Sequence, residues 1–265
     1  MFYNAKNKKF YIDDTYIDYL TFGRGKKNLV IIPGLGTTKI GGMAVPMAML
    51  YRKFAKEYTV YITDRRAVLP AGCTIEDMAA DTISLLKNCG VESADFVGVS
   101  QGGMIAQRIA VLCPDIVESL VLTVTSSSSN GYISSLLDRW IDMSEKQQYR
   151  EFTADMMEKM YSEEYISKYR FAMPLITLMQ KPKNNDRFVI QSEAIKRFDL
   201  YDKISSIRCP ALVIAGRKDK VIPVELSVQT AEKLGCEIYV YEKYGHALYD
   251  EASDFIDRVL EFLRK

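Results

Sequence analysis

Phe96-Val97-Gly98-Val99-Ser100-Gln101-Gly102-Gly103 decides how the rest of this chain is read. A short apolar, β-branched run leads into a serine with glycine two residues to either side. An apolar helical pattern follows at once through Met104, Ile105, Ile109 and Leu112. A serine hydroxyl is a poor nucleophile until the backbone pushes it out of the fold and a base takes its proton. G-x-S-x-G between a strand and a helix does the first of these, because the turn is too tight for side chains where Gly98 and Gly102 stand. The spacing therefore predicts Ser100 as a strained, exposed nucleophile. The plainer alternative is a glycine-rich turn whose serine merely caps the helix that follows.

A base near neutral pH must accompany such a serine, and the chain has one histidine. His246 sits in Tyr244-Gly245-His246-Ala247, after the strand-like run Ile238–Tyr241 and before a helical pattern at Phe255, Val259, Leu260 and Phe262. The third partner is read from Ala211-Leu212-Val213-Ile214-Ala215-Gly216-Arg217-Lys218-Asp219, an aliphatic strand ending in a glycine turn with a carboxylate three residues on. Asp219 would orient the His246 imidazole; between Lys218 and Lys220 it also suits a plain solvated turn. A rival position, after the strand Leu120–Val124, holds Thr125-Ser126-Ser127-Ser128-Ser129-Asn130 and no carboxylate. Leu29-Val30-Ile31-Ile32-Pro33-Gly34-Leu35-Gly36 is an apolar strand running into a glycine loop, whose amides can face a developing oxyanion. The expected pair of donors is the amide of Leu35 and that of Gln101. The two glycines also suit an ordinary turn, while a phosphate cradle lacks both G-x-x-x-x-G-K-[ST] and a complete G-x-G-x-x-G.

With these elements in the order serine, acid, histidine, the chain resembles the α/β-hydrolase-fold serine hydrolases over nearly its whole length. Asp64-Arg65-Arg66 resembles the family's D-x-R turn. Asp199, Ile207 and Cys209-Pro210 resemble the return from the lid, and Val221-Ile222-Pro223-Val224-Glu225 the stretch after the triad acid. The family commonly has a loop-anchoring histidine at the position of Pro33, and this chain departs there. The resemblance implies a Ser100–His246–Asp219 triad, an acyl-enzyme route on a small carboxylic ester or a related thioester or lactone, and no cofactor. Its rival is a member of the fold that binds a small ligand and turns over little.

Strand-like runs at Tyr16–Phe22, Leu29–Ile32, Val60–Ile62, Asp95–Val99 and Ser119–Val124 alternate with amphipathic patterns. That predicts an α/β, doubly wound, mostly parallel sheet. The alternation breaks from Gly131 to Phe188, where Trp140, Met143, Phe152, Met156, Met157, Met160 and Ile166 keep helical spacing with no strand between them. This predicts a core of residues 1–130 and 189–265 and a helical lid of residues 131–188 inserted after the sixth strand, closing in the polar turn Lys181–Asp186. Lid side chains can shape a substrate pocket or simply hold the lid helices together.

Composition excludes several other classes. In 265 residues, 48% hydrophobic and 26% charged with a net charge of +1, nothing points to nucleic acid or an anionic membrane as partner. No apolar run reaches a membrane span, and the opening residues lack a signal-peptide core. Five dispersed cysteines without a C-x-x-C read as reduced thiols, hence a cytoplasmic setting, and one histidine makes a metal site improbable. The expected partner is a small-molecule substrate.

Overall fold

The computed structural model describes residues 2–37, 39–169, 171 and 185–265. Eight strands form one sheet: β1 (Lys6–Ile12), β2 (Thr15–Gly23), β3 (Lys27–Ile32), β4 (Tyr58–Arg66), β5 (Ala94–Val99), β6 (Val117–Thr123), β7 (Ala211–Gly216) and β8 (Glu237–Tyr241). Their order is β1-β2-β4-β3-β5-β6-β7-β8. The β1–β2 and β2–β4 pairs are antiparallel, and every pair from β4–β3 to β7–β8 is parallel. The doubly wound, mostly parallel sheet read from the sequence is the sheet observed.

Its two faces follow from the two-residue period of a strand. In β3, Val30 and Ile32 enter one core layer, while Leu29 and Ile31 enter the other. In β5, Phe96 goes with the first layer and Val97 and Val99 with the second. The first layer lies under α2 (Ile75–Asn88), α3 (Gln101–Leu112) and α8 (Val224–Leu234). The second lies under α1 (Ala44–Leu50) and α9 (Phe255–Leu263). Helix α2 starts at a capping box, with the Thr74 side chain accepting from the Asp77 amide and Asp77 reaching back to Thr74. Helix α8 stops at Gly235, whose φ of 66° a side chain would strain.

Two elements have no counterpart in the sequence reading. β1 carries Lys6, Lys8 and Lys9 and is almost wholly exposed, so the alternation that marks a half-buried strand is missing. It forms by pairing with β2 at the sheet edge. Helix α1 is one short apolar run that buries only Ala44 and Ala48.

Between β6 and β7 the described residues are helical: α4 (Gly131–Glu145), α5 (Tyr149–Met160), α6 (Glu163–Tyr169) and α7 (Asp186–Lys196). Asn130 caps α4, its side chain accepting from the Ile133 amide at 3.0 Å. Trp140, Phe152 and Phe188 form a chain of edge-to-face rings with centroids 6.4 and 5.2 Å apart. The Trp140 indole donates to Asp155 at 2.7 Å. Helix α7 runs on to Lys196, and residues 181–184 of the expected polar turn lie outside the described residues.

Candidate active site

Ser100 follows β5 directly, with φ 53° and ψ −120°, a left-handed conformation that a non-glycine residue holds only when its surroundings force it. The forcing contacts fall on its own backbone. The Ser100 amide donates to the Thr123 carbonyl at 2.9 Å, and the Thr125 hydroxyl donates to the Ser100 carbonyl at 2.8 Å. A Cβ on Gly98 would lie 2.6 Å from both the Gly102 carbonyl oxygen and the Gly103 Cα. One on Gly102 would collide with the Ile32 carbonyl, and one on Gly103 would lie 2.6 Å from the Thr125 side chain. The glycines are therefore dictated by the close approach of the first turn of α3 to the carboxyl ends of β3 and β5 and to the loop after β6. The Ser100 side chain makes no capping bond to α3, so the cap alternative does not describe it.

The Ser100 Oγ instead meets the His246 Nε2 at 3.0 Å, and the His246 Nδ1 meets the Asp219 Oδ2 at 2.8 Å. The second carboxylate oxygen of Asp219 accepts from the amides of Val221 and Ile222, both at 2.8 Å. With Oδ1 held this way, Oδ2 is left facing the imidazole. The Asp219 and His246 side chains are 2% and 4% exposed, so their contact is shielded from water, unlike a solvated turn. Gly216 lets the two loops touch: a Cβ there would lie 2.5 Å from the Gly245 carbonyl, and the Lys218 amide donates to the Tyr244 carbonyl at 3.0 Å. The three residues singled out in the sequence thus stand in one hydrogen-bonded line, at the carboxyl ends of β5, β7 and β8.

The loop after β3 passes close beside Ser100. A Cβ on Gly34 would stand 3.3 Å from the Ser100 Cβ, and Leu35 shares a pocket with Ser100 and His246. Among the described residues, the amides of Leu35 and Gln101 have no acceptor in the protein. Gln101 opens α3, where the helix's unpaired N–H groups and its dipole favour negative charge.

Sequence reading missed what holds these two amides in place. The Gln101 side chain is fully buried: its Oε1 accepts from the Arg65 Nη2 at 2.8 Å, and its Nε2 donates to the Gln191 carbonyl at 3.1 Å. The same Arg65 nitrogen donates to the Pro33 carbonyl at 2.6 Å. Arg187, one turn before Gln191 on α7, pairs with Asp64 at 2.5 Å. Burial draws the Arg65 guanidinium down to about 10; Asp64 opposes this and Arg187 adds to it, and Arg65 stays charged at neutral pH. Arg66 has a different task, gripping Asp81 through two bonds of 2.6 and 2.7 Å.

One cavity opens at this centre and a second lies beside it. One, of about 50 Å³, is lined by Ser100, His246 and Leu35, and by apolar side chains such as Leu137, Trp140 and Met156 from α4 and α5. The other, of about 320 Å³, lies behind Gly34–Gly36 and is bordered by Tyr51, Asp64, Arg187 and Gln191. The cavity-lining residues of α4 and α5 also belong to the first core layer, so pocket and packing are not separate sets: Trp140 serves both.

A strand–turn–helix serine at the carboxyl edge of a doubly wound sheet, beside a buried histidine and carboxylate, is the arrangement of α/β-hydrolases. The family model described as "alpha/beta hydrolase fold" matches residues 27–253, and the chain belongs to that family. It is 25% identical over 248 residues to the Rhizobium rhizogenes protein named "Putative carbamate hydrolase RutD", covering 90% of this chain and 93% of that one. It is 26% identical over 266 residues to a 2-hydroxy-6-oxononadienedioate/2-hydroxy-6-oxononatrienedioate hydrolase of Paraburkholderia phymatum, covering 93% and 90% of the two. In fold it matches the enol-lactonase of Burkholderia xenovorans at a TM-score of 0.85 and 18% identity, covering 97% of this chain and 100% of that one. What these relatives share by name is hydrolysis, on different bonds. No helix among the described residues is long and apolar enough to cross a membrane.

Proposed function

We propose that the chain is a serine hydrolase of a small carboxylic ester, or of a related lactone or thioester, working through an acyl-enzyme on Ser100. The observation that carries this reading is the line Ser100 Oγ, His246 Nε2, His246 Nδ1, Asp219 Oδ2, with contacts of 3.0 and 2.8 Å. Ser100 Oγ attacks the substrate carbonyl as its proton passes to His246 Nε2, while Asp219 holds the Nδ1–H and stabilises the imidazolium. The tetrahedral oxyanion is received by the amides of Leu35 and Gln101. Collapse expels the alcohol, which takes its proton from His246. Water, deprotonated by the same nitrogen, then releases the acid and restores Ser100. The sequence needs no cofactor.

Residues 131–188 are proposed as a lid over this centre, and two contacts support that role. The Met160 carbonyl at the end of α5 accepts from the Ala247 amide, next to His246, at 2.8 Å. Apolar side chains of α4 and α5 border the cavity that opens at Ser100. The small size of that cavity favours a short acyl or alcohol group on this side. A cytoplasmic location remains a reading of the reduced cysteines.

The test is a panel of p-nitrophenyl esters of graded acyl length together with lactones, acyl thioesters and carbamates. The reading expects turnover of short-chain esters or lactones that vanishes in Ser100→Ala. Turnover that survives in Ser100→Ala would refute it. Failure of Ser100 to react with a fluorophosphonate would favour the ligand-binding alternative.

A further inference from the structure

Arg65 stands out among the buried groups because hydrolysis as described above does not use it. It is 5% exposed, and among the described residues no carboxylate lies within ion-pair distance of its guanidinium. Asp64, its neighbour in sequence, accepts both the Arg65 amide and the Arg187 guanidinium on Oδ1, and the Ile40 amide on Oδ2. Among the described residues the Arg65 Nε has no hydrogen-bond partner. A buried cation with no carboxylate bonded to it is costly in general, and the nearby Asp64 charge offsets only part of the burial here, so a cation kept at this place calls for a reason other than stability.

The reason lies in what its one engaged nitrogen touches. Nη2 carries two hydrogens, and it meets two acceptors: the Pro33 carbonyl at 2.6 Å and the Gln101 Oε1 at 2.8 Å. Pro33 is two residues before Leu35, and Gln101 directly follows Ser100. A single atom therefore ties the loop that carries Leu35 to the side chain of the residue that follows Ser100. The far end of Gln101 is fixed to Gln191, whose own side chain lies 3.4 Å from the Gly36 carbonyl. We infer that Arg65 is the positioning residue of the oxyanion hole, setting the spacing of the Leu35 and Gln101 amides and placing its positive charge behind the developing oxyanion. The inference rests on the proposed acyl-enzyme chemistry.

An interaction aimed at charge that exists only in the transition state should change kcat and leave KM almost alone. Loss of one oxyanion donor typically lowers kcat by about 10²–10³. A donor displaced but still present should lower it less, by roughly ten- to a hundred-fold.

The experiment compares wild type, Arg65→Met, Arg65→Lys and Gln101→Met, each corrected for its folded fraction by denaturant titration. The readouts are kcat and KM on the best ester, the rate of Ser100 labelling by a fluorophosphonate, and the affinity of a small alkylboronic acid, whose tetrahedral adduct mimics the intermediate. Arg65→Met should lose kcat, labelling rate and boronate affinity together, with KM within about threefold of wild type. Arg65→Lys should recover part of the loss, keeping the charge while bridging only one acceptor. In the Gln101→Met background, Arg65→Met should lose less than it does alone. Normal folded-state kcat and labelling in Arg65→Met, or a loss confined to KM, would overturn the positioning role while leaving the acyl-enzyme reading intact. A wild-type protein that never labels at Ser100 would bring down both.

Discussion

The turn around Ser100 and the helical segment between β6 and β7 meet across one cavity, yet they are specified in opposite ways. At the turn, backbone does the work: Gly98, Gly102 and Gly103 are required by contacts in which any added carbon would press on main chain or on Thr125. Ser100 is held at a positive φ by hydrogen bonds to β6 and the loop beyond it. In the helical segment, side chains do the work, through the rings of Trp140, Phe152 and Phe188 and the indole bond to Asp155. A site set by backbone contact tolerates almost no substitution, whereas one set by packed side chains can be reshaped residue by residue. On the proposed function, chemistry would belong with the first and substrate choice with the second.

The largest effect should come from the turn and its partners. Ser100→Ala and His246→Ala should each lower kcat by roughly 10⁴–10⁶ without unfolding the protein, since members of such a unit fail together. Purified variants keeping more than a few per cent of wild-type turnover would break the comparison on its chemical side. Asp219→Asn should lose about 10⁴ in kcat, because the amide favours the wrong imidazole tautomer. If that variant is nearly silent, another carboxylate orients His246.

In the helical segment the expectation is different in kind. Trp140→Ala removes a ring that is 2% exposed and leaves Asp155 without its indole donor, so stability should fall by about 3–5 kcal/mol. The cavity at Ser100 should widen, shifting relative kcat/KM toward longer acyl groups, while fluorophosphonate still labels Ser100. Equal loss on every substrate, in proportion to the unfolded fraction, would reduce Trp140 to packing alone.

The smallest effect concerns the core. Burial raises the Asp95 carboxyl above its ordinary value, against the opposing hydrogen bonds from Ser119 and Tyr58. The folded state therefore holds this proton at pH values where the unfolded chain has lost it. From about pH 3.9 upward, through the raised folded value, Asp95 makes stability decline as pH rises. Asp95→Asn should flatten that part of the Tm–pH curve by an amount on the order of a few degrees. A parallel curve, merely displaced, would show that Asp95 is not the group responsible.

The same contrast explains what could be read from the chain before its structure. Tight turns and buried parallel strands leave local marks, such as glycine at fixed offsets from Ser100 and unbroken aliphatic runs at Leu29–Ile32 and Leu212–Ala215. The sheet and the three residues now in line were legible from these marks. Arg65 was not. It stands only as the middle residue of the D-x-R-like Asp64-Arg65-Arg66, and nothing local marks it as buried against Gln101 and Pro33. Gln191 and Arg187 are equally silent, because their partners lie 90 and 123 residues away. The edge strand β1 escaped for the reverse reason, being shaped by its pairing with β2 rather than by a buried face of its own.

The central claim is that Ser100 is a nucleophile made reactive by His246. The most direct measurement is intact-mass spectrometry with peptide mapping after brief exposure to a small fluorophosphonate, on wild type, Ser100→Ala and His246→Ala. The account predicts one adduct per chain on Ser100 in the wild type, none in Ser100→Ala, and labelling slowed by at least a few orders of magnitude in His246→Ala. An adduct on another residue, or equal labelling of Ser100 with and without His246, would contradict it.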